Sequence, residues 1–461
     1  MPENYATPPA NGLPRMAAQR IAGRIRSPGD MPTPPATPAS SSPRWTIPLG
    51  AVLVHLGIGS VYAWSTLNRP IIAALPSLPW WATPPYPTFT SALVLLGLSA
   101  ATWGPWVERT GARTAARLAA ICFAVGLLVG GLGLVLQQPV LMFLGMGVLC
   151  GIGCGIGYIA PVSTLVKWFP DRRGMATGFA IMGFGGGAFV AGYANAFLIE
   201  RVGVANTLFV LAAVYVVIML AGAQLLRPAP IATLTDVNIP TPSSGPELRR
   251  LGYTRSEAVR TPQFALLWGM LCVNVTAGIG ILAQASPMMQ DLFGKTPAEA
   301  AAVVAMISVF NAGGRLLWSS ASDLIGRRNT YLVFFGVQFL LFLLIPVLAR
   351  EGAWLPFLVC LLTVFTMYGG GFATIPAYLA DLFGTAYVGA IHGTLLTAWS
   401  VAAVLGPVII TELSSRAKAA LLPGMPRVAV YDQPLQLLAG LLAAGFVLTL
   451  LVKPLPVKTA P

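Results

Sequence analysis

The chain has 461 residues, 56% of them hydrophobic and only 9% charged, with a mean hydropathy of +0.75. Soluble domains carry about 25% charged residues, so this composition excludes a soluble globular protein. The net charge of +13 does not point to nucleic acid, because Lys and Arg stand in short clusters between apolar runs rather than along one face.

Residues 1–44 are rich in Pro, Ala, Ser and Thr and read as a disordered cytoplasmic tail. No signal-peptide core precedes Ile47, so the first apolar run is expected to persist as a helix. Twelve apolar runs follow, each long enough to cross a bilayer. The first six span about 46–68, 88–107, 115–136, 140–162, 174–199 and 205–226. The second six span about 264–287, 299–321, 330–349, 354–377, 388–412 and 433–452. They predict an all-α polytopic membrane protein with six-helix bundles at 45–226 and 263–453. A Pro-, Ser- and charge-rich linker at 227–262 joins the bundles, and 454–461 forms a short tail. Trp80 and Trp81, in a Pro-rich loop, are expected to anchor at the membrane interface. The five cysteines (Cys122, Cys150, Cys154, Cys272, Cys360) all lie in apolar runs and read as small helix residues.

With both termini inside, 20 of the 28 basic residues fall on the inner side (Arg117, at the inner end of span 3, among them), seven on the outer side, and one, Arg315, deep within a span. That asymmetry predicts cytoplasmic termini in a plasma or inner membrane. A repeat joins the two bundles. Glu108-Arg109-Thr110-Gly111-Ala112-Arg113 follows span 2, and Asp323-Leu324-Ile325-Gly326-Arg327-Arg328 follows span 8. Both read acid-x-x-Gly-x-Arg, and glycine permits a tight turn. Glu108, Arg113, Asp323, Arg327 and Arg328 are therefore expected as inner-side gate residues, or as orienting charge alone.

The twelve spans, the duplicated loop and the long linker resemble the major facilitator superfamily, with its two pseudo-symmetric six-helix halves. Four stretches resemble more narrowly the oxalate:formate antiporter family: His55 to Ser65, Gly183 to Ala188, Gly369 to Tyr378, and Gly389 to Trp399. The resemblance covers roughly residues 45–452.

No nucleophile–base pair, metal-ligand cluster or phosphate loop is evident, so neither an enzyme, a metal site nor a cofactor is expected. Arg315 is the principal site candidate. A charge deep in a bilayer costs at least about 3 kcal/mol, which marks such residues as functional. Asn311, one turn earlier, shares its face. The alternative is an arginine paired with a helix carboxylate or snorkelling to the surface.

The resemblance implies that Arg315 holds a substrate carboxylate. It also implies a second cation, a lysine, at a span 11 position occupied here by Trp399. One cation and an indole suit a monoanion, which turns the expectation from oxalate to lactate, pyruvate or formate. Trp399 can equally be a packing residue. His392, two turns before it, can serve as substrate contact and proton partner, or be a neutral hydrogen-bonded histidine. Tyr62, Trp64, Tyr158, Tyr368 and His55 are further lining candidates, each with helix packing as the alternative. The expected activity is alternating-access transport of a small organic anion by a monomer in the lipid bilayer, with proton symport first and anion exchange second. A transporter-like sensor or scaffold is the remote alternative from another class.

Overall fold

A computed structural model of the chain describes residues 44–75, 86–230, 252–420 and 427–456. The expected anchors Trp80 and Trp81, nearly all of the N-terminal tail and the middle of the linker lie outside these residues. Helix formation follows the apolar runs. The spans are α1 (Thr46–Ala74), α2 (Tyr86–Thr110), α3 (Ala112–Val135) and α4 (Pro139–Trp168). They continue with α7 (Pro262–Phe293), α8 (Pro297–Ile325), α9 (Arg327–Arg350), α10 (Trp354–Phe383), α11 (Val388–Ala419) and α12 (Ala429–Leu451).

Between α4 and α7 lies one 53-residue helix, Arg173–Leu225. At 1.5 Å per residue it would be about 80 Å long, far beyond a hydrocarbon core of about 30 Å. It breaks at Gly203, whose φ of 78° only glycine adopts without strain. The break gives α5 (173–202) and α6 (204–225). Among the described residues, eleven helices are long and apolar enough to cross a membrane, and the 53-residue one is broken at Gly203 into two such lengths.

Helix starts follow local chemistry. Thr261 accepts from the Phe264 amide ahead of Pro262, and Thr296 and Glu299 form a reciprocal capping box ahead of Pro297. The repeat's glycines share one conformation: Gly111 has φ/ψ of 85°/155° and Gly326 has 86°/147°.

The loops at 111, 169–172, 326 and 384–387, together with both ends of the linker, share one face, called the linker face below. The halves meet there and deeper along two helix pairs, α5 with α8 and α2 with α11. Small residues let these backbones touch. A methyl on Gly178 would fall 2.7 Å from the Arg315 carbonyl, one on Gly185 2.9 Å from Ala312, and one on Gly393 2.2 Å from the Ala100 carbonyl.

Candidate functional site

The site forms where three helices depart from regular geometry or carry glycine. In α1 the segment Ser60–Trp64 tightens to a 3-10 turn, and in α11 the helix breaks at Leu396, three residues before Trp399. Mid-helix 3-10 segments often mark hinges. The α10 backbone presses against Asn311 and the Arg315 stem at Gly369, where a methyl would lie 2.2 Å from the Asn311 carbonyl.

Arg315 is 1% exposed and, among the described residues, forms no ion pair with a carboxylate. Its Nη1 donates to the Ile181 carbonyl of α5 at 2.9 Å, a bond from one half of the molecule to the other. Its Nε and Nη2 have no hydrogen-bond partner among the described residues. Those two atoms form the side edge of the guanidinium, the edge that grips a carboxylate at two points. The backbone bond thus fixes the plane of the group and leaves its fork open.

Aromatic rings surround the fork. Cζ of Arg315 lies 5.5 Å from the Phe184 ring centre and 5.8 Å from that of Phe372, within cation–π range. Trp399 is fully buried and packs on Phe372 at 4.5 Å, Tyr158 at 5.5 Å, Phe184 at 5.7 Å and Tyr62 at 6.0 Å. Buried polar atoms without a partner accumulate here: Asn311 Oδ1, Trp399 Nε1 and the hydroxyls of Tyr62, Tyr158 and Tyr368. The Tyr62 and Tyr368 hydroxyls are close enough to feel each other, although neither forms a hydrogen bond of normal geometry. Buried polar groups are ordinarily satisfied, so a concentration of such atoms is the mark of a site for a polar ligand.

The two histidines flank Tyr158, His55 at 5.2 Å and His392 at 5.9 Å between ring centres. His55 Nδ1 donates to the Ala51 carbonyl at 3.0 Å, which leaves its Nε2 as the free atom; His392 Nε2 is also unpartnered. Trp64 stands apart. It stacks on Phe89 and lines a small cavity inside the first half with Phe123 and Tyr215.

On the linker face the acids of the repeat each cap a helix of the opposite half. Asp323 accepts from the amides of Gly174 and Met175, the first turn of α5, at 2.9 and 2.8 Å. Glu108 accepts from the Gly389 amide, the first turn of α11, at 2.7 Å. Carboxylates are favoured at helix N-termini, and both caps tie the halves together. Arg327 bonds Asp323 at 2.5 Å and Asp381 at 3.0 Å, and Asp381 reaches across to Arg173 at 2.8 Å. Lys167 pairs with Glu108.

The other two repeat arginines do not reach across the halves. Arg113 donates to the Leu226 carbonyl at the end of α6, and Arg328 to the Thr449 and Leu450 carbonyls at the end of α12. They hold equivalent helix ends within their own halves. Sequence reasoning passed over Ile181, Phe184, Phe372, Arg173 and Lys167. Phe184 and Phe372 do stand inside the glycine-rich stretches singled out above, which was the available signal.

Residues 81–407 match the Major Facilitator Superfamily. The oxalate:formate antiporter of Oxalobacter formigenes is 30% identical over 380 residues, covering 79% of this chain and 83% of that protein. Apicoplast pyruvate carrier 1 of Toxoplasma gondii is 25% identical, covering 80% and 84%. The crystal structure of the superfamily transporter FucP in the outward conformation overlays with a TM-score of 0.63 at 14% identity, covering 88% of this chain and 99% of that one. The chain belongs to the major facilitator superfamily, and within it to the type that includes the oxalate:formate antiporter and the monocarboxylate transporters; it is a membrane transporter and not an enzyme.

Proposed function

We propose that the protein carries a small monocarboxylate of the lactate, pyruvate or formate type across the membrane by alternating access, with proton symport. The observation that carries this reading is the open Nε–Nη2 fork of a buried Arg315 that has no carboxylate partner. The carboxylate takes the fork, and the Asn311 amide and the Tyr62, Tyr158 and Tyr368 hydroxyls hydrogen-bond its remaining lone pairs. The ring wall of Phe184, Phe372 and Trp399 accepts a short apolar tail and offers no second cation to a dianion. His392 is the proton partner and carries the compensating positive charge when protonated. The caps at Asp323 and Glu108 act as the gate of the linker face, which we take as cytoplasmic along with both termini. One chain supplies the whole site, so a monomer suffices. The named activities of the pyruvate carrier and the oxalate:formate antiporter support a carboxylate as cargo.

In proteoliposomes Arg315→Ala should reduce counterflow of a labelled monocarboxylate at least about 100-fold, since breaking a buried charge pair costs about 3 kcal/mol or more. Uptake at the wild-type rate would remove Arg315 from the site. The 30% identical antiporter favours a second reading, oxalate–formate exchange with protonated His392 in place of the missing lysine. Oxalate–formate exchange without a proton gradient would support it over symport.

A further inference from the structure

The helix that each gate acid caps begins in a short turn, and each turn is gripped by the chain segment entering the first helix of its own half. In the first half the turn is Phe169 to Arg172, leading to Gly174. Arg44, just ahead of α1, donates to the Trp168 carbonyl at 3.0 Å and to Asp171 at 2.5 Å, and its guanidinium lies 4.1 Å over the Phe169 ring. Trp45 packs on the same ring at 5.3 Å. In the second half the turn is Gly384 to Tyr387, leading to Gly389. The Tyr253 amide, shortly ahead of α7, donates to the Phe383 carbonyl at 2.8 Å, and the Tyr253 ring packs edge-on against Phe383 at 5.8 Å. Arg255 Nε adds a bond to Thr394 of α11 at 2.8 Å.

The two arrangements are equivalent in kind. Each uses a buried phenylalanine at the end of a helix, Phe169 after α4 and Phe383 closing α10. Each joins parts of one half only, and each lies a few residues before the amides that an acid of the other half accepts from. An amide cap is effective only when the N–H groups point at the carboxylate, so whatever fixes the turn fixes the strength of the cap. We propose that Arg44, and Tyr253 with Arg255, are positioning residues for the gate: these clasps hold the first turns of α5 and α11 in register with Asp323 and Glu108, and so set how often the linker face opens.

The clasps differ in chemistry. The first rests on an exposed ion pair, which salt screens. Desolvation pushes the Asp171 carboxyl up, but the hydrogen bond and charge of Arg44 outweigh it and hold the group below the usual carboxylate range. That pair is therefore intact at neutral pH and is lost only as the pH falls below that range. The second clasp rests on a backbone bond and ring packing, which salt does not screen.

The test is amide hydrogen exchange of the full chain in detergent micelles without substrate, so it stands independently of the cargo reading. The reporters are peptides covering 170–178 and 385–393, compared between wild type, Arg44→Gln, Tyr253→Ala and, as a gate-broken reference, Asp323→Asn. Each clasp variant should raise exchange several-fold in both peptides, including the one its residue does not touch. High salt, which screens the Arg44–Asp171 pair, should raise exchange more in wild type than in Arg44→Gln. Faster exchange confined to the adjoining turn, or no change while Asp323→Asn raises both peptides, would overturn the proposal. A variant that fails to fold is replaced by Asp171→Asn, which removes the same ion pair from the other side and should give the Arg44→Gln pattern.

Discussion

Arg315 combines two tasks in one side chain. Its Nη1 bond to Ile181 links the halves, while its guanidinium lies within cation–π range of Phe184 and Phe372 and its Nε and Nη2 stay unpartnered among the described residues. Trp399 lies fully buried among Phe372, Phe184, Tyr158 and Tyr62, so its replacement tests the proposed cargo choice. Trp399→Lys should raise affinity for oxalate relative to formate or lactate about tenfold or more, since hydrogen bonds to charged groups contribute about 1.5–3 kcal/mol. Competition of labelled formate uptake by oxalate measures it, and an unchanged ratio means that Trp399 does not face the anion. His392 sits beside Tyr158, and its Nε2 has no hydrogen-bond partner among the described residues. His392→Gln should flatten the pH dependence of net uptake and spare anion exchange; a wild-type pH profile would assign proton coupling elsewhere.

At the scale of helices, α5 works by what it lacks. Its glycines leave no side chains between it and its neighbours, so α1 and α8 approach its backbone directly. A methyl on Gly178 would stand 1.8 Å from Ser319 Oγ and 2.7 Å from the Arg315 carbonyl, whereas one on Gly186 meets nothing within 4 Å. Gly178→Ala should therefore cost about 1–3 kcal/mol by overpacking and slow transport by pushing α5 from α8. Gly186→Ala should be neutral in both melting temperature and turnover. Equal effects of the two would mean that the close approach of α5 to α8 is not needed.

At the scale of the whole molecule, the proposed gate rests on two related but unequal caps. Asp323 accepts two amides and is backed by the Arg327–Asp381–Arg173 chain, whereas Glu108 accepts one amide and pairs with Lys167. Asp323→Asn should open the linker face more than Glu108→Gln does. A cysteine placed at Ser163, buried beside Gly389, reports the difference as maleimide labelling rate once the five native cysteines are replaced. A larger effect of Glu108→Gln would reverse the ranking.

Much of this organisation is legible in the sequence. The twelve crossings follow from apolar length, the break at Gly203 from a short polar interruption, and the two capping acids from a repeat at matching places in two halves. Arg315 stands out because charge in a span is costly. The Ile181 bond is invisible in sequence, since a backbone carbonyl has no residue signature. Phe184 and Phe372 read as ordinary apolar helix residues until α5 and α10 bring them to one guanidinium. Arg113 and Arg328 share the acids' motif, and only the packing of α6 and α12 separates helix-end staples from gate residues.

The lone guanidinium at the centre also has an electrical consequence. Among the described residues, no carboxylate pairs with Arg315, so on the function proposed above the empty site carries one positive charge and the site holding a monoanion without a proton carries none. Membrane voltage performs about 2.3 kcal/mol of work per elementary charge per 100 mV on a full crossing. In anion exchange both loaded transits are neutral and that work is nil; in proton symport the loaded and the empty transit each carry one positive charge in opposite directions, and the work cancels. Swapping one monoanion for another is then electrically silent, and a proton accompanying each anion makes the complete cycle silent as well.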